Sequence, residues 1–295
     1  MFAILGITGQ VGGATARALL AHGHQVRAIV RNPEKAASWQ AEGVELVVAD
    51  VDDPTALTAA LGGVEGAFVM LPSNFAPSPD FSEARRTIAS LVTALSAARP
   101  PRVVALSSIG SEQEHGLGLI TSTHLLEQAL LPLGLNLALL RATWFMENFA
   151  FDIQSARYSS ELDSYLQPAN KPFSMVATDD IGIVAARVLT EPWPASASPT
   201  TRIVEISGPR DYTPTDVAAS FAAALNQTVN LKLIPREAWV GQFIAQGMPE
   251  DRTAPRVDML DSLNSGHIYF GVAGTEPVRG TTELETVLRE LVARA

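Results

Sequence analysis

The chain contains no cysteine. Disulfides, thiolate catalysis and Cys-ligated zinc or iron–sulfur centres are thereby excluded, and a reducing compartment is compatible with that lack. Long apolar runs are missing too, since no stretch reaches the ~18 residues a membrane span requires. The start, Met1-Phe2-Ala3-Ile4-Leu5, lacks the basic flank and small-residue cleavage site of a signal peptide and runs straight into what reads as a core strand. A cytoplasmic protein with no membrane partner is the expectation. Basic residues are scarce: 21 Lys and Arg stand against 31 Asp and Glu, a formal charge of −10. No basic stripe or tail exists to displace counterions from phosphates, so nucleic acid is set aside as a partner. Histidine offers no metal site. His22 and His24 flank Gly23 at the wrong edge of the expected sheet, and His115 and His267 have no partner at ligand spacing. A Gly-x-Ser-x-Gly elbow is absent as well, which removes the commonest hydrolase reading.

What is present is an ordinary globular composition, 47% hydrophobic and 18% charged over 295 residues, enough chain for one large or two modest domains. The first half alternates short apolar runs with helix-period segments, the pattern of parallel strands joined by crossover helices. Strands are predicted over 2–6, 26–30, 44–49, 66–71, 103–107 and 135–140, with helices over 11–21, 34–42, 54–61, 80–98 and 122–131. Asp53 reads as an N-cap with Pro54 in the first helical position. This is a doubly wound α/β fold of the Rossmann type. Past Arg141 the alternation weakens: a strand is expected over 170–175, a helix over 181–189 capped by Thr178-Asp179-Asp180, a Pro- and Ser-rich loop over 191–200 and a strand over 202–206. Helices are then expected over 215–224, started by Thr213-Pro214-Thr215-Asp216, and over 236–246 and 282–293. The spacing predicts a dinucleotide-binding domain from 1–147 plus about 174–206, and a smaller α/β substrate lobe from about 148–173 plus 207–295.

The strongest chemistry lies in Gly6-Ile-Thr8-Gly9-Gln10-Val11-Gly12-Gly13, directly after the first strand and opening the first helix. A strand that ends in a tight Gly turn and feeds a helix N-terminus builds a pyrophosphate site: Gly6 for the turn, Gly9 for close approach of the phosphates, Gly12 for helix packing. The second strand ends in Arg31, not in the carboxylate that would accept from a ribose 2′-hydroxyl. Arg31 can clamp a 2′-phosphate, with Lys35 one turn later adding charge, which favours NADP(H) while leaving NAD(H) open. The alternative is a solvated basic residue at a strand end. Asp50, ending the third strand, and the backbone N–H of Val51 suit an adenine edge, or Asp50 is an ordinary loop cap. The backbone at Leu71 and Pro72 lies where the middle of the cofactor would pass, or is simply core. Ser107 and Ser108 end the fifth strand and either orient a substrate oxygen or satisfy strand-end backbone.

Together these segments resemble the NmrA-like family of atypical short-chain dehydrogenase/reductase proteins over nearly the whole chain. The resemblance rests on the glycine loop, Val30-Arg31-Asn32-Pro33, Leu106-Ser107-Ser108, Leu140-Arg141-Ala-Thr-Trp-Phe-Met-Glu147-Asn148, Thr178-Asp-Asp180-Ile-Gly and Ser207-Gly208-Pro209. It implies that Thr143, Trp144 and Phe145 lie beside the nicotinamide end of the cofactor and that Glu147, Asn148 and Phe149 border the substrate pocket. One departure is chemical. Active short-chain dehydrogenases carry a Tyr and, four residues on, a Lys that lowers its pKa; those positions fall here on Leu119 and Thr123. Several NmrA-like reductases have His at the Lys position, and His124 lies one residue beyond it. His124 either reaches the cofactor or faces water.

The expected function is NADPH-dependent hydride transfer to an electron-poor small molecule such as a quinone, an azo compound or a dye-like cation, which needs no dedicated Tyr acid. Thr123, His124 and Ser108 are the candidate catalytic side chains, and Trp144, Phe145 and Phe149 the candidate pocket wall. The alternative is a non-catalytic sensor of NAD(P) redox state, the one reading that calls for a protein partner.

Overall fold

The computed structural model describes residues 1–193 and 199–295, so the loop predicted over 191–200 lies partly outside the described residues. Strands β1 (Phe2–Leu5), β2 (Val26–Val30), β3 (Glu45–Val48), β4 (Gly66–Val69), β5 (Val103–Ser108) and β6 (Leu137–Ala142) alternate with helices α1 (Gln10–Ala21), α2 (Ala37–Ala41), α3 (Pro54–Ala60), α4 (Ser82–Ala98) and α5 (Thr121–Leu130). There follow β7 (Trp144–Phe145), α6 (Ile153–Ser159), β8 (Glu161–Ser164), β9 (Phe173–Val176), α7 (Thr178–Thr190) and β10 (Thr201–Ser207). The chain closes with β11 (Asp211–Tyr212), α8 (Pro214–Leu225), β12 (Asn230–Leu233), α9 (Trp239–Ala245), α10 (Ala254–Ser265), β13 (Glu276–Arg279) and α11 (Leu284–Arg294).

Eight strands form one sheet in the order β3-β2-β1-β4-β5-β6-β10-β13, and every neighbouring pair is parallel. The chain starts in the middle, winds outward to β3, then crosses to β4, so a crevice opens at the C-terminal edge where the winding reverses between β1 and β4. Side chains alternate between two covered faces. Ile4, Ala28, Phe68, Val104 and Leu140 pack with α1 and α7 on one side; Leu5, Ile29, Val69, Ala105 and Leu139 pack with α3, α4 and α5 on the other. This two-sided burial is why the strands read as near-continuous apolar runs. A separate core joins Phe149, Phe173, Tyr212, Phe221, Trp239 and Phe243 in the second lobe, whose small sheets are β11-β9-β7 and β12-β8.

Several elements differ from the sequence reading for local reasons. The helix expected over 34–42 divides into a 3-10 turn, Pro33–Ala36, and the short α2, with Asn32 Oδ1 accepting from Glu34 N–H at 2.9 Å. Strand 135–140 is shifted to β6 because Leu137 N–H pairs with Thr200 O. The expected 236–246 helix opens with a 3-10 turn, and α10, β8 and β12 carry too little periodic signal to be found in advance. Strand β13, placed by sequence in the second lobe, is the edge of the main sheet, held beside β10 by backbone pairing and by Arg202 of β10, which donates to the two Glu276 oxygens at 2.9 and 2.7 Å. Two caps stand where the sequence puts them: Asp53 accepts from Thr55 and Ala56 N–H, and Thr213 with Asp216 forms a capping box. Among the described residues no helix is long and apolar enough to cross a membrane, and no cluster of His, Asp and Glu could hold a metal ion.

Helices α1 and α7 pack in close contact. A Cβ on Gly182 would lie 2.4 Å from Ala14 Cβ and 2.6 Å from Thr15 N, so α7 touches the backbone of α1. In an open helix Gly→Ala stabilises by up to about 1 kcal/mol. Here Gly182→Ala is expected to do the reverse, costing about 1–3 kcal/mol in urea unfolding as the helices are pushed apart. A stabilising change would contradict this contact.

Candidate active site

β1 ends in a turn built for glycine. Gly6 has φ +73°, in the left-handed region, and faces Met70 Sδ at 2.7 Å from where a Cβ would stand. Gly9 N–H donates to Gly6 O at 2.9 Å, and a Cβ on Gly12 would lie 2.3 Å from that same oxygen. The first turn of α1 therefore rests directly on the end of β1. Among the described residues no side chain caps this helix, and no acidic residue lies in its first turn, so its leading N–H groups, at the positive end of the dipole, are open to an anion. Thr8, Gly9 and Gln10 are exposed at the rim. Val11 is buried in the core and offers only its N–H.

Arg31 and Lys35 both stand exposed beyond the end of β2, and neither side chain has an ion pair or hydrogen bond among the described residues. Arg17, within α1, is instead occupied by Asp179 at 3.2 Å and by the Trp39 ring. Asp50 is exposed after β3, one oxygen accepting from Asp52 N–H at 3.0 Å. Leu71 and Pro72 begin the loop beyond β4, and Val51 is half-buried beside Asp50.

The end of β5 holds a buried polar network that the sequence reading missed. Ser107 Oγ donates to Glu127 Oε1 at 2.5 Å. Glu127 grips Arg141 in two bonds, Nε to Oε1 at 2.9 Å and a terminal nitrogen to Oε2 at 2.7 Å. The other terminal nitrogen of Arg141 reaches Glu112 at 2.9 Å. Glu127 is 1% exposed and Arg141 4%, so the bidentate pairing compensates two desolvated charges. Ser107 is thereby committed to the network. Thr123 Oγ1 is equally occupied, donating to Ile120 O at 2.9 Å and lying 2.8 Å from Ser111 Oγ. Ser108 Oγ donates to Ile109 O. His124 differs. Its Nδ1 lies 2.9 Å from Ser111 O, and a carbonyl only accepts, so Nδ1 carries the hydrogen and the neutral ring keeps Nε2 as an acceptor. Nothing among the described residues bonds Nε2.

The stretch from Arg141 to Asn148 leaves the sheet and enters the second lobe. Thr143 N–H donates to Ile206 O, while its buried hydroxyl and the buried Trp144 Nε1 lack partners among the described residues. β7 pairs Trp144 with Met175 and Phe145 with Val176. Glu147 Oε1 accepts from Thr178 N–H at 2.8 Å and Thr178 Oγ1 at 2.7 Å. This corrects the expected cap of α7: the helix begins at Thr178 and its N-terminus is closed by a carboxylate from another element. Burial raises the Glu147 pKa above the usual carboxylate range, against the pull of these bonds. Asp180 is bonded too, accepting from Thr282 N–H and hydroxyl, each at 3.0 Å. The Asn148 side chain is half-buried and unbonded among the described residues. Phe149 turns away from the crevice into the second core, edge-on to Phe221 at 6.3 Å. Its neighbour two residues on, Phe151, faces out.

Asp152 follows in a half-buried cluster with Asp163, Tyr165 and Arg256. Burial pushes its carboxyl up to about 7; the Arg256 charge opposes that rise and Asp163 adds to it. Arg256 itself lies over the Phe243 ring at 4.2 Å.

A doubly wound parallel sheet with a bare glycine turn at its first strand and an uncapped helix beyond defines a dinucleotide-binding α/β protein of the Rossmann class. Within that class the chain belongs to the NmrA-like family, whose model matches residues 1–275. It is 27% identical to an NAD(P)H azoreductase of Xenophilus azovorans, over 94% of this chain and 92% of that protein. Quinone oxidoreductase 2 of Escherichia coli (strain K12) is 28% identical, over 91% and 90%. The crystal structure of Citrobacter sp. triphenylmethane reductase complexed with NADP(H) superposes with a TM-score of 0.80 at 20% identity, covering 98% of this chain and 99% of that one.

Two outcomes are expected. Arg141→Leu strands Glu127 in the core and should cost about 3–5 kcal/mol in equilibrium unfolding; a loss below about 1 kcal/mol would show the pair to be dispensable. For Asp152 the folded pKa exceeds the unfolded value of about 3.9, so the folded state holds the extra proton and stability falls as pH rises from about 4 to 7. Asp152→Asn removes that slope, and its gain over the wild type should be larger, by about 1–3 kcal/mol, at pH 8 than at pH 4. A gain independent of pH would refute the shifted carboxyl.

Proposed function

We propose that the protein is an NADPH-dependent reductase that transfers hydride to an electron-poor small-molecule acceptor of the quinone, azo or cationic-dye type. The coarser part, a NAD(P)H-dependent oxidoreductase, is supported by likeness along nearly the full chain to the azoreductase and the quinone oxidoreductase. The observation that carries the finer part is the pairing of an uncapped α1 N-terminus with an unoccupied Arg31 guanidinium at the tip of β2. The first suits a pyrophosphate and the second a 2′-phosphate, so the residues fit NADP(H).

When bound, the dinucleotide supplies the hydride. The chain's own residues do the rest. The glycine turn and α1 hold the diphosphate, while Arg31 and Lys35 select for the extra phosphate. His124 Nε2, an acceptor fixed by the Nδ1 bond to Ser111 O, would hold a cofactor hydroxyl from one residue beyond the position at which other short-chain dehydrogenases carry a Lys. Thr123, spent on its own turn, cannot take that part. Ser108, half-exposed at the end of β5, is the remaining hydroxyl near the acceptor. With Leu119 where a Tyr would stand, no strong acid is provided, which suits acceptors that tolerate negative charge or begin cationic and take their proton from water.

Arg31→Ala should weaken NADPH binding by about 10- to 100-fold, the loss of one charge-assisted phosphate contact, with NADH affinity within about two-fold of wild type by calorimetry. Equal losses for both would dismiss the 2′-phosphate assignment. NADPH oxidation followed against quinones, azo dyes and cationic dyes tests the reaction itself. Tight binding with no turnover on any of them would favour a redox sensor that signals to a protein partner.

A further inference from the structure

Two phenylalanines remain unexplained by the fold. Phe75 is 51% exposed and Phe151 79%, although each could have been polar at no cost to either core. They are remote in sequence yet adjacent in space, ring centroids 6.3 Å apart and planes at 81°. Their positions follow from the topology. Phe75 sits in the loop leaving the C-terminal end of β4, and Phe151 in the 3-10 segment Met146–Asp152 reached from the C-terminal end of β6. β5 lies between those two strands. Both segments thus leave the C-terminal edge of the sheet on either side of β5, which ends there in Ser107 and Ser108, the edge at which ligands bind in doubly wound sheets.

The Phe75 loop is braced. Ala76 N–H donates to Asn74 Oδ1 at 3.1 Å, and Ser78 donates to Glu83 through its hydroxyl at 2.5 Å and its N–H at 3.1 Å. Arg252, from the second lobe, donates to Ala76 O at 3.0 Å and pairs with Glu83 at 3.4 Å. The second lobe thus pins the loop that carries one ring, and the chain entering that lobe carries the other.

The geometry points to Phe75 and Phe151 as an aromatic corner that selects flat, fused-ring acceptors and holds them over the end of β5. Two rings near perpendicular present one face and one edge to a common space. A planar electron-poor ring can stack offset on one while meeting the other edge to face, both favoured arrangements at this spacing. A second fused ring enlarges the stacked area without giving up the edge contact, so affinity grows with ring area. This inference rests on the reductase reading and specifies its acceptor.

The test separates the two. Binding of 1,4-naphthoquinone is measured by calorimetry with NADP+ present and absent, so no turnover is needed, for the wild type, Phe75→Ala, Phe151→Ala, Phe151→Leu and Phe151→Tyr. Both alanine variants and Phe151→Leu should bind naphthoquinone about 5- to 10-fold more weakly, Phe151→Tyr should match the wild type, and NADP+ affinity should be constant throughout. 1,4-Benzoquinone should lose less than about three-fold. Unchanged naphthoquinone binding in the alanine variants, full binding by Phe151→Leu, or no binding by the wild type overturns the corner. NADPH oxidation by the wild type is scored separately: intact quinone binding without turnover sinks the reductase reading and leaves the corner standing.

Discussion

Everything at the C-terminal edge of the sheet depends on how closely α1 approaches its neighbours. Gly12 lets the helix rest on the Gly6 carbonyl, and Gly182 lets α7 rest on the helix. With those two contacts made, α7 has one position. Its first residue, Thr178, then receives Glu147, and its third, Asp180, receives Thr282 beyond β13. A packing constraint between two glycines and backbone is passed through two carboxylates to the segment that leaves the sheet and to the loop before the last helix. Segments that look like separate motifs in the sequence are in this sense one bonded assembly.

The buried Glu127–Arg141 pair ties a second set of elements. It joins α5 to β6 under the end of β5, and Ser107, Ser111 and Thr123 are all drawn into its neighbourhood. In doing so it removes three hydroxyls from those free to act on a ligand, while the half-buried His124 imidazole keeps a defined tautomer and an Nε2 without a partner among the described residues. Burying an ion pair is a poor way to gain stability, since desolvation offsets most of the attraction. Its evident effect here is to fix geometry, keeping the start of α5 in register with the strand ends.

Much of this was legible in advance where the signal is local. The six alternating strands, the glycine turn, the Asp53 and Thr213 caps and the free Arg31 follow from periodicity, backbone sterics and the identity of a residue at a strand tip. Residue identity misled where a partner from elsewhere intervened. Ser107 and Thr123 carry the right chemistry but are bonded within the protein; Phe149 is apolar and adjacent to the crevice but faces the second core; the α7 cap comes from Glu147, not from the helix's own Asp residues. Strand β13 was invisible because Glu276–Arg279 has no apolar pattern and joins the sheet through backbone pairing and the Arg202–Glu276 ion pair, a contact between residues remote in sequence.

The sequence by itself determined the class of fold, the family and the identity of the residues at the turn after β1 and the tip of β2, because each rests on short-range rules: two-residue and 3.6-residue periods, a left-handed glycine, a cation where a carboxylate would otherwise stand. Only the tertiary structure decided which polar groups at the β5 end remain available and where the exposed rings meet. Hydrogen-bond capacity is consumed by whichever partner arrives first in space, and that partner lies 20 residues away for Ser107 with Glu127 and 31 for Glu147 with Thr178. Phe75 and Phe151 come together only because β4 and β6 flank β5 in the sheet.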